Sequence, residues 1–219
     1  MATASRPDAD YAAFGRESAR MLMNRVSEKD TSVAWSHVKE YDGINISRGV
    51  VDDNDWNVIK AVGIVRCPAR ILADRLTDPK EMKTFDENTD VCNVLVDVDD
   101  RTKVLHVKAK AVFPTTARDF VVVTAKEESI ESKNLTIVIA SRSVKHDAAP
   151  LDPSYVRATT YLSGYVIRST STSACEVTML VHMNLGGSLP SFVINMLAVD
   201  APLHLIGKLR ELYADPDSD

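Results

Sequence analysis

The residues that could catalyse a reaction or hold a metal are scattered along the sequence. Five histidines and three cysteines occur in 219 residues, and none pairs with a second ligand at metal-binding spacing. The glycine loops that bind phosphate, the GxSxG serine elbow and the HExxH zinc motif are absent. Asp200 with His106 or His182 would be the candidates for acid–base catalysis. We therefore predict no catalytic residue, no metal and no cofactor.

Composition describes a globular protein with enough apolar residues for a substantial core. The chain carries 26 Lys and Arg against 31 Asp and Glu, a formal charge of −5, and 45% hydrophobic residues. Nucleic acid is excluded as the main partner because phosphate binding needs clustered basic residues. The first residues are acidic where a signal peptide needs an apolar core, and no Cys-x-x-Cys pair occurs. A cytoplasmic protein with reduced thiols is expected.

Apolar spacing predicts a first helix over Asp8–Val26, and three strands at 32–38, 44–51 and 56–65 follow it. Pro68 opens a helical segment that Asp78-Pro79 divides in two. Residues 1–7 are predicted to be a flexible tail and 214–219 an acidic tail, which leaves 8–213 as a single domain.

Six further strands are predicted at 91–98, 103–113, 120–125, 135–140, 156–168 and 175–184. Short polar turns join most consecutive strands, which favours an antiparallel sheet and an α+β fold. The last helix is predicted from Ser188 to near Tyr213. Between Phe192 and Ile206 it is apolar nearly all round, so it must contact protein or ligand on several sides.

An uncharged stretch from Val177 to Val199 is long enough to cross a bilayer. Gly186-Gly187 and Pro190 interrupt it, however, and divide it into a strand, a turn and the start of a helix. We therefore interpret this stretch as buried interior.

Alternation along two strands places apolar side chains on one face. The residues concerned are Leu105, Val107, Ala109, Met179, Val181 and Met183. Two interpretations stay open: these side chains pack on one another, which the residues alone favour, or they line a ligand cavity. Small alanines leave room for a ligand, and methionines adapt to irregular chains.

Two segments carry a recognisable pattern, FPTTARDFV at 113–121 and NLGGSLPSFVIN at 184–195. The first resembles the F-P-x-x-x-R-D-F/Y-V signature of START domains, the lipid-transfer domains related to steroidogenic acute regulatory protein, and the second resembles the start of that family's C-terminal helix. The resemblance covers about residues 8–213, nearly the whole chain.

The resemblance implies a helix-grip fold, a curved antiparallel sheet of about nine strands around the C-terminal helix with a hydrophobic tunnel between them. It also implies that the loop Phe113–Ala117 and that helix form the tunnel's mouth. The residues expected to line the tunnel or its mouth are Phe113, Arg118, Leu105, Val107, Ala109, Met179, Val181, Met183, Val193, Met196, Leu197 and Asp200.

Three polar positions bear on the choice of lipid. For Arg118, an internal ion pair or a capping role is favoured over contact with a headgroup. Asp200 could bond a headgroup or sterol hydroxyl, or could equally face solvent before Pro202. Sterol-binding members of the family tend to carry a buried acid and a buried Arg on neighbouring strands. Here the arginine's position holds Thr124 and the acid's position falls at Leu105 or His106, which favours a phospholipid or sphingolipid over a sterol.

The expected function is therefore a monomeric, non-enzymatic protein that carries one lipid molecule between membranes and contacts their surfaces transiently. Two alternatives stay open: an enzyme of the wider helix-grip superfamily acting on a hydrophobic substrate, and a module whose bound lipid regulates a partner protein.

Overall fold

A computed structural model describes residues 8–131, 134–190, 193–194 and 196–214. Four α-helices are described, namely α1 Asp8–Val26, α2 Ala69–Thr77, α3 Met82–Phe85 and α4 Ala201–Leu212, and a π-helical turn, Met196–Asp200, precedes α4. The described strands are β1 Val33–Tyr41, β2 Ile44–Val51, β3 Val58–Val65, β4 Thr89–Asp97, β5 Thr102–Ala109, β6 Ala117–Glu131, β7 Asn134–Ser143, β8 Tyr155–Arg157, β9 Thr159–Ser169 and β10 Cys175–Asn184.

The strands form one sheet in the order β1-β2-β3-β10-β9-β7-β6-β5-β4. Every neighbouring pair in this order is antiparallel. The predicted antiparallel sheet of about nine strands and the α+β class are confirmed. β10 joins the amino-terminal strands to the carboxy-terminal strands because it pairs with both β3 and β9.

The predicted strand at 156–168 is wrong in one respect, because it is two strands. β8 pairs in parallel with β6, placing Arg118 beside Val156, whereas β9 pairs with β7. Between them, the Ala158 amide donates to the carbonyl of Asp119 at 2.9 Å. The chain thus changes partner strand at Ala158, which local residue types do not signal.

Helix α1 covers the convex face of the sheet. Its Leu22 is fully buried in a cluster that includes Val166 and Leu180 from the strands. At the start of the helix Tyr11 packs on Val121 and Val123 of β6. Burying such side chains contributes about 1.5–3 kcal/mol each, so apolar packing holds α1 on the central strands of this face.

Helices α2 and α4 cover the concave face. Leu72 and Leu76 of α2 meet Leu209 of α4 in a cluster that also holds the inner-face residues Ile137 and Ile167. Ile206 of α4 packs on β2 and β3 in a second cluster. The α2 and α4 segments thus close one part of the concave face with protein side chains.

The final helix differs from its predicted extent. Ser188–Pro190 are not helical, whereas Val193 and Ile194 are, and a π-helical turn then leads into α4 at Ala201. Pro202 has no amide hydrogen to donate, and it stands in the first turn of α4, directly after the π-helical turn. Gly186 and Gly187, with φ of +65° and +64°, turn the chain out of β10.

Several strand ends also differ from prediction. β5 ends at Ala109, whereas β6 and β7 extend well beyond the apolar stretches 120–125 and 135–140. The extension of β6 is polar, and pairing such as Glu128 with Ile137 continues the hairpin. Ladder hydrogen bonds need no apolar side chain, so hydrophobicity alone underestimates these strands. Across the described residues, no helix is long and apolar enough to cross a membrane.

Gly164 provides a test of the sheet geometry. Its φ is +147°, and a Cβ there would lie 1.9 Å from the Ile139 carbonyl oxygen. We expect Gly164→Ala to destabilise the protein by about 3 kcal/mol or more, measured by chemical denaturation. Gly207→Ala in α4 is the matched control, because among the described residues a Cβ there would meet no atom within 4 Å beyond its chain neighbours and its own helix backbone. The free energy of unfolding of Gly207→Ala should rise by about 0.5–1 kcal/mol. An equal change of unfolding free energy in both variants would contradict the described strand register.

Candidate functional site

A cavity of about 760 Å³ lies between the inner face of the sheet and the helical segments that cover it. This volume falls within the range of sites that enclose small organic ligands, roughly 300–1,000 Å³. Strands β5, β6, β7, β9 and β10 supply its wall, α2 and α3 supply Leu76, Met82 and Phe85, and the chain before α4 closes it.

The alternation of side chains along β5 and β10 places the six apolar residues predicted from the sequence in the wall of this cavity. Its lining includes Leu105, Val107 and Ala109 of β5 and Met179, Val181 and Met183 of β10. Cys175 and Val177, earlier on the same face of β10, are instead fully buried against the α2 and α4 cluster. The inner face of β10 is therefore shared between a packed core and the cavity.

The segment that precedes α4 forms one side of the cavity. Val193, which is fully buried, and Leu197 line it. Met196 was also predicted to line the tunnel, but its side chain lies outside the described residues.

Phe113 and Asp200 do not line the cavity. The Phe113 side chain is 91% exposed. Its neighbours Lys110, Val112, Thr115 and Thr116 contribute to the lining, so the loop 110–116 borders the opening, which we call the mouth. Asp200 is exposed at the junction of the π-helical turn and α4, the solvent-facing arrangement that the sequence left open.

Arg118 is buried, with 8% exposure, and lines the cavity. Its guanidinium donates to the carbonyl oxygens of Thr116, Leu185 and Gly186, the last two at 3.3 Å. It therefore ties the start of β6 to the chain that leaves β10. Burial lowers the pKa of Arg118 below its ordinary value.

Asp119 faces the opposite side of the sheet, because successive residues of a strand alternate. Its carboxylate accepts two hydrogen bonds from Arg157, at 2.9 and 2.8 Å, and one from His106 at 2.8 Å. Burial acts to raise the pKa of Asp119, but these donors outweigh burial and hold it below its usual range. Asp119 thus forms an internal ion pair with Arg157, which was not predicted, and of the two roles favoured for Arg118 the structure has the capping one.

A row of hydroxyl groups crosses the cavity wall, and the sequence analysis missed it. Thr124, Ser141 and Ser163 lie opposite one another on β6, β7 and β9. Thr124 Oγ1 lies 2.8 Å from Ser141 Oγ, and Ser163 Oγ accepts the His182 amide at 3.2 Å. The signal is a small polar residue that interrupts each apolar strand, but only the strand order aligns the three. Thr124 and Leu105, which occupy the positions of the arginine and the acid of sterol-binding members, both line the cavity.

The histidines considered for acid–base catalysis face away from the cavity. His106 bonds Asp119, and His182 lies between α1 and β3 on the convex face. Arg25 donates to His182 Nδ1 at 3.1 Å, and His182 Nε2 donates to the Trp56 carbonyl at 3.0 Å. Asp200 is exposed on another segment, so the suggested pairs are not formed. Within the described ranges, no group of three His, Cys, Asp or Glu side chains could hold a metal.

The sequence matches the model of the START domain family over residues 17–200. The chain therefore belongs to the START domain family, and the resemblance noted from its motifs is confirmed. Mouse START domain-containing protein 10 is 27% identical over 205 residues, covering 89% of this chain and 68% of that protein. Bovine phosphatidylcholine transfer protein is 26% identical over 194 residues, covering 87% and 90%.

A further relative is named as an enzyme. Mouse acetyl-coenzyme A thioesterase is 26% identical over 146 residues, which is 67% of this chain and 26% of that protein. The chain thus spans about a quarter of the length of the thioesterase. In structure, human StAR-related lipid transfer protein 5 superposes with a TM-score of 0.82 at 18% identity, covering 94% of this chain and 97% of that one. The fold is therefore the START helix-grip fold, and family membership indicates lipid binding.

His182 should make stability depend on pH. Burial and the charge of Arg25 lower its pKa to about 4 from an ordinary 6.5, although the bond to Trp56 opposes the shift. A lowered pKa means that the unfolded chain binds a proton first, so stability is full above pH 6.5 and falls towards pH 4. Between pH 7.5 and 5, we expect the wild type to lose about 2 kcal/mol more than His182→Gln in urea unfolding. Parallel pH profiles for the two proteins would show that His182 is not the group responsible.

Proposed function

We propose that this chain binds one lipid molecule in the cavity and carries it between membranes, with a phospholipid or sphingolipid favoured over a sterol. The observation that carries the proposal is the cavity itself, whose wall is built from rows such as Leu105, Val107, Met179 and Val181. Relatives that include a phosphatidylcholine transfer protein support it.

Burial of acyl chains supplies the affinity. Removing apolar surface from water contributes roughly 0.8 kcal/mol per methylene, so a diacyl lipid with ~30 methylenes gains on the order of 25 kcal/mol in an apolar cavity. A bilayer offers about the same gain, so a carrier must match the membrane rather than surpass it. Selectivity between lipids then depends on the few polar groups of the site.

Exchange requires the mouth to open at a membrane surface. The loop 110–116 borders the cavity, and so does the segment before α4, through Val193, Ile194 and Leu197. Phe113 on the loop and Ile194 on the segment expose apolar side chains, at 91% and 40%. Exposed apolar groups on both sides of an opening favour contact with lipid, so the mouth is where the protein would meet a bilayer.

A carrier is favoured over an enzyme by where the reactive side chains lie. Across the described part of the chain, the cavity lining contains no histidine or cysteine, and the hydroxyls of Thr124 and Ser141 bond each other. The thioesterase activity in the name of one relative belongs to that much longer protein. A regulatory module would bind the same lipid, and transfer between membranes distinguishes the two.

Filling the cavity should abolish transfer. Val181→Trp projects an indole ring from β10 into the cavity, so lipid exchange between donor and acceptor vesicles should fall at least tenfold, the effect of a loss above about 1.4 kcal/mol. Val94→Trp, at a 44% exposed position on edge strand β4, is the matched control and should exchange normally. If the wild type transfers and retains no lipid of any class, the proposed function is wrong.

The loop at the mouth should set the rate of transfer. Phe113→Asp replaces an exposed apolar group with a charge, so we expect slower exchange and weaker vesicle binding in flotation, with the same amount of lipid bound per protein. Ile130→Asp is the control, because Ile130 is 68% exposed at the other end of β6. Equal slowing by both variants would argue against a membrane contact at Phe113.

A further inference from the structure

The feature that apolar packing does not explain is the row of hydroxyl groups in the cavity wall. Its members, Thr124, Ser141 and Ser163, lie opposite one another on β6, β7 and β9, and all three line the cavity. Val122 and Ile139, the next residues on the same face of β6 and β7, are apolar and line it too. Three hydroxyls therefore stand together in an apolar part of the wall.

The row has hydrogen-bond donors that the protein leaves unused. A hydroxyl group has one proton to donate. One of the three protons lies between Thr124 Oγ1 and Ser141 Oγ, which are 2.8 Å apart, whichever of them donates. Ser163 Oγ accepts the His182 amide at 3.2 Å, so its own proton stays available. Among the described residues the row makes no further hydrogen bond, which leaves two protons without an acceptor.

Unused donors favour a ligand that brings acceptors to this depth. A polar group that loses water without gaining a hydrogen-bond partner costs free energy. Acyl chains that fill the cavity would keep water away from the row and so impose this cost. A ligand with oxygen acceptors at the level of the row avoids it. The wall therefore suits a ligand that is polar at this level and apolar beyond it.

The level of the row shows which part of an amphiphile would meet it. β6 and β9 both pair antiparallel with β7, so both begin at the end of the sheet next to the loop 110–116. Ser163 is four residues into β9 from Thr159, a rise of roughly 13 Å at about 3.3 Å per residue. Tyr165 and Met179, which pair with each other, line the cavity farther in. The row thus lies between the mouth and the deeper lining, where acyl chains would join the rest of a lipid.

We infer that Thr124, Ser141 and Ser163 bind the carbonyl oxygens of the ester or amide groups that join acyl chains to the carried lipid. A carbonyl oxygen is a strong acceptor, and the two free protons match the two acyl carbonyls of a diacyl lipid. An ether oxygen in the same place is a much weaker acceptor. The inference rests on the proposed function and deepens it by naming the residues that recognise the acyl linkage, whatever the headgroup.

The test offers the protein two phosphatidylcholines that differ only in this linkage. One has two ester-linked chains and the other has two ether-linked chains of the same length, mixed in equal amounts in the same vesicles. Lipid retained by the protein is quantified by native mass spectrometry. The wild type should retain about tenfold more of the ester lipid, the effect of two hydrogen bonds of ordinary net strength.

The two ways in which this comparison can fail are distinct. Equal retention of both lipids overturns the inference and leaves the carrier function intact, because it would show that water or the row itself satisfies the hydroxyls. Retention of neither lipid, nor of a lipid of any other class, defeats the carrier function itself.

A double variant assigns the preference to the row. Thr124→Val with Ser141→Ala removes two of the three hydroxyls with little change of shape, and removing both partners of a hydrogen bond is nearly neutral for stability. The preference for the ester lipid should fall to about threefold or less, with retention of the ether lipid unchanged. Ser163 is left in place because its oxygen accepts the His182 amide.

The matched control is Ser129→Ala with Thr136→Val. These two residues also pair between β6 and β7, but they lie on the other face of the sheet and outside the described cavity lining. The control should keep the preference of the wild type. A similar change in both double variants, or an equal loss of both lipids in Thr124→Val with Ser141→Ala, would overturn the inference. If that variant does not fold, the wild-type comparison still decides.

Discussion

The structure depends on a sheet whose inner face is packed with the protein's own side chains along only part of its length. Side chains alternate between two faces of every strand, and α1 seals the convex face with a packed layer. On the concave face, α2 and α4 pack directly on one group of inner residues and leave the rest around a cavity. Apolar surface that the protein does not bury itself is what makes an apolar ligand stable there.

The same alternation decides on which face of the sheet the charged side chains of β6 lie. Arg118 and Asp119 are adjacent in sequence, yet one faces the cavity and the other joins a hydrogen-bonded cluster with Arg157 on the outside. In the part of the chain that the structure describes, Asp119 has a charged partner in Arg157, whereas Arg118 bonds backbone carbonyl oxygens. Strand alternation therefore gives two adjacent charged residues different surroundings.

Much of the fold could be predicted from the residues, because α1, β2 and β10 have clear periodicity and clear ends. The six apolar residues predicted on β5 and β10 do line the cavity, although their part in lipid binding stays a prediction. The local residue pattern did not predict the structure where pairing with strands distant in sequence decides where a strand ends or which residues lie side by side. The break at Ala158, the polar extension of β6 and the alignment of Thr124 with Ser141 and Ser163 all depend on strand pairing across the sheet.

The pairing of β3 with β10 joins residues more than a hundred positions apart, as between Val65 and Cys175. During synthesis, the backbone N–H and C=O groups on one edge of β3 and on one edge of β9 stay unpaired until β10 has been made. Sheets dominated by such distant pairings form slowly, and open edges in the meantime invite association with other chains. The last strand of the chain thus completes the sheet. A nascent chain whose synthesis stops before Cys175 would leave β3 and β9 each with an unpaired edge that can associate with other chains.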